Sequence, residues 1–233
     1  MSNFKFINEL VLTQNDRWLI NSILTDNEEL TIFPDNELIS LRDVLRERKE
    51  SIDPQVYSKT SFNYLGLENI QPYTGFLVDF KSKYGSAVKS RCKIFKLGDL
   101  LYSKLRPTLN KSYIVDERVN NGICSTEFLV FEIETSLIEP ILLRYIISSD
   151  FVQEQVEKFI AGAALPRIQT DDFLSIKIPK IDKKYQLILS KYLKEKHQEY
   201  LDCFNKLNSY QQDLNEILLT SIKENRISEP KKK

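Results

Sequence analysis

Between Lys104 and Lys111 the chain gathers side chains that hold anions or read base edges: Lys104, Arg106, Asn110 and Lys111. A guanidinium offers paired donors to a phosphate or a guanine edge, and an Asn amide matches the donor–acceptor pair of adenine in the major groove. Lys89, Arg91 and Lys93 recur at alternate positions. That spacing sends all three to one face of a strand and suits a row of backbone phosphates. Arg167, after Leu165-Pro166, fits either an anionic partner or an internal carboxylate, and Arg106, between Leu105 and Pro107, has the same two readings. All of these groups bind; none of them transfers an atom.

Residues for reaction chemistry are sparse. Cys92, Cys124 and Cys203 are too scattered for a disulfide framework or a Cys-x-x-Cys metal site, and a lone His197 leaves no zinc site and little room for His-based nuclease chemistry. The cysteines read as small apolar residues in a reducing compartment. No Pro-Pro pair occurs, which the Asp/Asn-Pro-Pro-Tyr/Phe motif of adenine methyltransferases requires. No Gly-x-Gly cofactor loop and no P-loop occurs either, so the chain carries no evident site for S-adenosylmethionine or ATP. The nearest imitation of an enzyme is Pro34-Asp35 with Glu47-Arg48-Lys49, a Pro-Asp…Glu-x-Lys metal-nuclease pattern in which carboxylates converge on a metal from neighbouring strands. Here Glu47 and Lys49 fall in what reads as a charged helix end. Glu127, next to Phe128, reads as an internal partner for Ser125 or Arg106.

The charge balance is zero, 33 Lys and Arg against 33 Asp and Glu, which excludes binding of nucleic acid through overall positive charge. The distribution is uneven. From Lys81 to Lys111 there are nine basic residues and one acid, Asp99. The basic run is interleaved with Tyr84, Phe95 and Tyr102, as loops and strands that present cations to an anionic partner would be.

The elements that must position these groups follow from periodicity. Leu41, Val44 and Leu45 predict a short helix that continues into Arg46–Glu50. Strands are predicted at 64–70, 75–78, 94–101, 113–115 and 128–133, with Asn121-Gly122 as a turn before the last. Gly98, Gly122 and Pro107 set backbone shape. Pro140 and Ser149-Asp150 open two helices, ended by Ala161 to Ala164, and 175–181 is a last strand. From Lys183 to Asn225 there is neither Gly nor Pro, and Leu189, Leu193, Tyr200, Cys203, Leu207, Tyr210, Leu214 and Ile217 alternate in steps of four and three. That is a coiled-coil seam on a helix roughly 60 Å long. The expected class is α+β, with four segments. Residues 1–37 are an extension of open role, 38–181 a mixed α/β domain, 182–226 a helical arm and 227–233 a basic tail. No run approaches the roughly 20 apolar residues of a membrane span, and the N-terminus lacks a signal-peptide pattern, so a cytoplasmic protein is expected.

The block Gly98-Asp99-Leu100-Leu101-Tyr102-Ser103-Lys104-Leu105-Arg106-Pro107 resembles the Gly-Asp-Ile-Leu-(Phe/Tyr)-Ser-(Lys/Arg)-Leu-Arg-Pro signature of the DNA-specificity (S) subunits of type I restriction–modification systems. Tyr64 to Ile70 is similar to their Tyr-(Ile/Leu)-Gly-(Ile/Leu)-Glu-Asn-Ile strand, and Gly122 to Phe128 to their Gly-x-x-Ser-(Thr/Ser)-Glu-Phe element. Gly162, Arg167-Ile168 and Phe173 to Pro179 resemble the end of a target recognition domain, and Gln186 stands near the start of the family's long helix. The resemblance spans about residues 38–225. Typical S subunits carry two recognition domains and two long helices; this sequence shows one of each.

The resemblance implies a non-catalytic, sequence-specific binder of double-stranded DNA in phage defence. Lys89, Arg91, Lys93, Lys104, Arg106, Asn110, Lys111 and Arg167 would contact DNA. The arm would space two recognition domains in a homodimer, or in a pair with another half-subunit, and would dock methyltransferase (M) subunits and, in a full system, a restriction (R) subunit. The chain itself would need no cofactor; S-adenosylmethionine and ATP would belong to the partners. Two further readings remain: a helical decoy that binds the methyltransferase without reading DNA, and the metal nuclease.

Overall fold

Strands whose residues alternate between two apolar environments make the centre of this chain. The structure, a computed structural model, describes residue 34, residues 37–161 and residues 164–227, with side chains through residue 223. Within it run β1 (Leu38–Ser40), α1 (Leu41–Val44), β2 (Leu45–Glu47), β3 (Ser51–Ile52), β4 (Ser61–Phe62), β5 (Tyr64–Leu65) and β6 (Lys83–Tyr84). Next come β7 (Cys92–Phe95), β8 (Leu100–Ser103), β9 (Ser112–Ile114), β10 (Gly122–Ser125) and β11 (Phe128–Ile133). Then follow α2 (Pro140–Ile147), α3 (Asp150–Lys158), α4 (Thr170–Ser175), β12 (Lys177–Pro179) and α5 (Lys183–Ile227). The class is α+β, with a long C-terminal helix.

Two four-stranded sheets, ordered β3-β7-β10-β5 and β2-β11-β8-β9, share one core. Leu65, Phe95 and Cys124 from the first sheet pack with Leu101, Tyr113, Phe128 and Val130 from the second. Intervening residues serve the opposite face, where Tyr102 stacks on Phe173 of α4 at 4.3 Å between ring centroids and Phe131 lies 5.5 Å from the same ring. Covered on both faces, β8 is buried at all four positions, as the apolar Leu100-Leu101-Tyr102 run requires. A two-stranded pair, β1 with β12, ties the start of the described domain to its end through Leu38↔Pro179 and Ser40↔Lys177.

Several expectations are corrected. The helix at Leu41 stops at Val44, because Leu45 turns extended (φ −126°, ψ 137°) and Leu45–Glu47 pairs with Phe131–Ile133. Residues 75–78 form only a bridge, Leu77 to Ile70, and the expected 94–101 strand is two strands broken at Gly98. Asn121-Gly122 is not the hairpin turn: Gly122 begins β10, and the turn lies at Asp116–Asn120. Thr170–Ser175 is a helix, so the last strand starts only at Lys177. The starts of α2 at Pro140 and of α3 after Ser149 match expectation.

The chain divides into two compact units, Met1–Ser190 and Lys191–Lys233. The boundary lies beyond the expected 181/182 because the first turns of α5 are fastened to the first unit. Gln186 donates to the carbonyls of Leu137 (2.9 Å) and Ile181 (2.8 Å) and accepts from the Glu139 N–H (3.0 Å), while Lys183 pairs with Glu139 (3.0 Å). In the second unit, Tyr200, Cys203, Leu207, Tyr210, Leu214 and Ile217 of the expected seam are exposed, Leu207 to 67%. Leu189 and Leu193 are half-buried. Residues 1–33 and the tail from 228, with their readings, lie outside the described residues.

Candidate nucleic-acid interface

The basic loop is prepared by a turn. Gly98 has φ +86°, a conformation that L side chains rarely adopt, and it lets Asp99 fold back so that its carboxylate accepts from the Lys96 N–H at 2.8 Å. Asp99 is buried, and it also takes Arg48 Nε at 2.7 Å and Nη2 at 3.1 Å. That pairing, ahead of the cost of burial, raises the Arg48 pKa. From this anchor β8 runs to Ser103, whose hydroxyl donates to Leu105 O at 2.6 Å.

The loop beyond β8 is held on several sides. Lys104 N donates to Glu127 O (2.9 Å), Arg106 N to Pro166 O (2.8 Å), and Tyr102 OH to Pro107 O (3.3 Å). Arg106 (φ 49°) and Asn110 (φ 43°) are left-handed and bracket a single 3₁₀ turn, Pro107–Leu109. Pro107 is buried there at the turn's first position, where its fixed φ suits the geometry.

Sheet register brings separate stretches of sequence to one end. β7 starts where β10 ends, since Cys92 pairs with Ser125, and β8 ends where β11 starts, since Ser103 pairs with Phe128. The Thr126-Glu127 turn links β10 to β11. Lys89 and Arg91, before β7, and Lys104 and Arg106, after β8, therefore lie at the end of the sheets that carries this turn, where the Lys104 N–H bonds Glu127 O. Arg167 joins them: its Nε and Nη2 bond Glu127 Oε2 and Oε1 at 3.2 and 3.1 Å, and its backbone bridges Leu105 and Ala161.

No protein-family model matches the chain. The type I restriction enzyme HindI specificity subunit of Haemophilus influenzae is 32% identical over 97 residues, 40% of this chain and 21% of that protein. The HsdS subunit of Thermoanaerobacter tengcongensis superposes with a TM-score of 0.61 at 25% identity, over 79% of this chain and 47% of that one. A chain solved for the assembly and conformational transition of the type I R-M system gives 0.62, also at 25% identity, over 84% of this chain and 50% of its own. In sequence and in fold this chain is similar to type I specificity subunits. It spans about half the length of the solved chains it matches.

Set against that family, the predicted contact residues fall into two groups. Of the nine basic residues between Lys81 and Lys111, Lys81, Lys89, Arg91, Lys96 and Arg106 are exposed, and Lys83, Lys93, Lys104 and Lys111 are half-buried. Lys89, Arg91 and Lys93 do not share one strand face, because β7 begins only at Cys92; Arg91 Nε reaches Ser51 Oγ at 3.3 Å and Lys93 lies 3.7 Å from the Glu47 carboxylate. Lys111 donates to Leu67 O at 2.6 Å, and burial lowers its pKa. Asn110 is 3% exposed. Lys111 thus fastens the loop from inside, and the buried Asn110 holds its turn through its N–H, which donates to Pro107 O at 2.8 Å.

The carboxylates are accounted for in the same way. Glu127 pairs with Arg167, not with Arg106, and that bond holds its pKa below the ordinary carboxylate value, against the opposing effect of burial. Its N–H donates to the Ser125 hydroxyl oxygen at 3.2 Å, so the expected Ser125 contact exists at the backbone. Glu47 sits in β2 with Lys93 and Thr170 as partners, not at a helix end, and Asp35 of the nuclease pattern lies outside the described residues. Among the described residues no three His, Cys, Asp or Glu side chains gather as a metal cluster. Burial pushes the Cys92 thiol up to about 11 and the Cys124 thiol upward as well, which suits inert packing residues. No described helix is long and apolar enough to cross a membrane. Sequence reading missed Arg48, whose only signal was the lone acid, Asp99, inside a basic run.

Proposed function

We propose that this chain reads double-stranded DNA as one recognition domain of a type I specificity assembly in the cytoplasm, and that it directs partner methyltransferase subunits to the site without doing chemistry itself. The observation that carries the reading is the placement of Lys89, Arg91, Lys104 and Arg106 at the end of the two sheets that carries the Thr126-Glu127 turn, in a fold shared with specificity subunits. Rigid strands aim the cations, while the buried pairs of Arg48 with Asp99 and of Lys111 with Leu67 O keep other basic residues for architecture. Lys89 and Arg91 contact phosphates and Arg106 contacts a base edge.

S-adenosylmethionine and ATP, and restriction where an R subunit takes part, belong to the partners. The apolar stripe of the arm, from Tyr200 to Ile217, pairs with a second helix, either in another copy or in another half-subunit, so that two recognition domains address a bipartite site. Two copies related by a two-fold axis would read an interrupted palindrome.

The test is methylation mapping in cells that hold this chain together with a type I methyltransferase subunit. A single bipartite methylated motif that disappears on deletion of this chain is expected, together with salt-dependent duplex binding by the purified protein. Methyltransferase binding with no duplex affinity at any salt concentration would leave the decoy reading instead.

A further inference from the structure

Five non-glycine residues among those described have positive φ: Tyr73 (63°), Asp79 (48°), Arg106 (49°), Asn110 (43°) and Asn120 (58°). Asp and Asn tolerate this region through local hydrogen bonds, whereas a bulky aromatic residue does not. Tyr73 is therefore the costliest of the five, and it is not placed at random. Its N–H donates to Leu109 O at 3.0 Å, and the Leu109 N–H bonds Arg106 O at 3.0 Å. Tyr73 and Arg106 thus hold the same Pro107–Leu109 turn.

The loop that carries Tyr73 is over-determined. Gln71 N bonds Phe76 O (2.9 Å), Gly75 N bonds Gln71 O (3.0 Å), and Thr74 Oγ1 reaches Gln71 Oε1 (2.8 Å). At its base Gly75 (φ +64°) lies so close to Ser112 O and the buried Arg144 guanidinium that a Cβ would collide with both. Above that fixed base Tyr73 is 65% exposed. Backbone outliers that their surroundings maintain cluster at binding sites, and here the outlier's own side chain is left in solvent.

We infer that Tyr73 is a specificity-determining residue of the DNA-reading surface, packing its ring against a base beside the one that Arg106 reads. The inference rests on the DNA-reading function proposed above. An aromatic side chain on a fixed backbone has little conformational freedom to lose on contact, and the exposed Arg106, on the turn that Tyr73 also holds, supplies charge that brings a duplex to it. The ring offers an apolar face to a thymine methyl or to a base plane, which the surrounding cations cannot provide.

The experiment is selection from a duplex pool with a randomised centre, using the full chain, with wild type, Tyr73→Asn and Tyr73→Phe in parallel and thermal melting of each. Asn fits the left-handed backbone, so Tyr73→Asn is expected to melt at or above the wild-type temperature while losing preference, on the order of tenfold, at one or two adjacent base positions only. Its salt dependence should be unchanged, since no charge is removed, and Tyr73→Phe should keep the preference. An unchanged motif in Tyr73→Asn overturns the inference and leaves DNA reading intact. So does a lower melting temperature with preference weakened evenly across the motif. If wild type selects no motif at all, DNA reading fails, and the role of Tyr73 fails with it.

Discussion

Arg167 and Glu127 meet through two parallel N–H···O bonds, 3.2 and 3.1 Å long, that clasp Arg167, bridged to Leu105 and Ala161, to the turn joining the two central sheets. The pair holds the Glu127 pKa below its ordinary 4.5. A group depressed on folding stabilises the native state above its unfolded value, and that stabilisation is lost as pH falls through the lower folded value. The melting-temperature advantage of wild type over Glu127→Gln should therefore be full at neutral pH and should shrink only as pH drops below 4.5. A gap that stays constant across that acid range, in melts of both proteins, would show that the clasp does not depend on the carboxylate charge.

The Asp99 carboxylate makes a second prediction about architecture. Asp99→Ala removes two bonds from Arg48 and one from the Lys96 N–H. Deleting one partner of a buried ion pair typically costs about 3–5 kcal/mol. Arg48 keeps Glu50 at 3.4 Å and Glu132 at 3.6 Å, so about 2–3 kcal/mol is expected here, a melting shift of roughly 5–10 °C. Calorimetry on the two proteins checks it; an unchanged melting temperature would mean that Arg48 is satisfied by its other carboxylates.

Much of this architecture was legible in the sequence, and the failures have physical causes. Pro140, Ser149 and the Gly- and Pro-free run from Lys183 marked helices correctly because they are local signals. Leu45–Glu47 read as helix because its pairing partner, Phe131–Ile133, lies far along the chain; tertiary pairing overrode propensity. Lys89, Arg91 and Lys93 were counted as equivalents since charge is visible in a sequence and burial is not. Only the structure separates Lys93, beside Glu47, from its exposed neighbours. Tyr73 carried no signal at all, because a left-handed backbone leaves no mark on residue type and its partner, Leu109, lies far along the chain.

That separation changes what the basic run should do to binding. Lys89→Ala and Arg91→Ala should each weaken binding to every duplex alike and reduce the log–log salt slope by about one. Lys93→Ala should leave the slope unchanged and lower thermal stability slightly, as its partner Glu47 loses a charge neighbour. Fluorescence anisotropy over a salt series distinguishes the three. Equal slopes in all four proteins would show the exposed pair to be a solvated face.

Arg106→Ala probes the loop itself. Arg106 is exposed and its N–H, not its side chain, is what bonds Pro166 O. Ala keeps that N–H but fits the left-handed φ of 49° no better than Arg does, so stability should change little. The guanidinium is lost, and with it about 1–3 kcal/mol of discrimination if it reads a base. Specific binding should then fall more than nonspecific binding at an unaltered melting temperature. A parallel fall in both affinities would assign Arg106 to phosphate.

The exposed stripe on the arm yields the last expectation. Leu207 and Leu214 are 67% and 66% exposed and occupy equivalent positions one heptad apart. Burying a Leu side chain against a partner helix contributes roughly 1.5–3 kcal/mol, and in a two-fold pair each substitution acts twice. Leu207→Asp with Leu214→Asp should therefore weaken association by at least a hundredfold while leaving the melting of the first compact unit where it was, since neither residue belongs to that unit. Light scattering and co-purification with a methyltransferase subunit measure the two kinds of pairing separately. Wild-type protein that stays monomeric at micromolar concentration and also fails to hold the methyltransferase would show that the stripe is an ordinary solvent-facing helix surface, because a seam of this length should overcome the several kcal/mol of entropy lost on association.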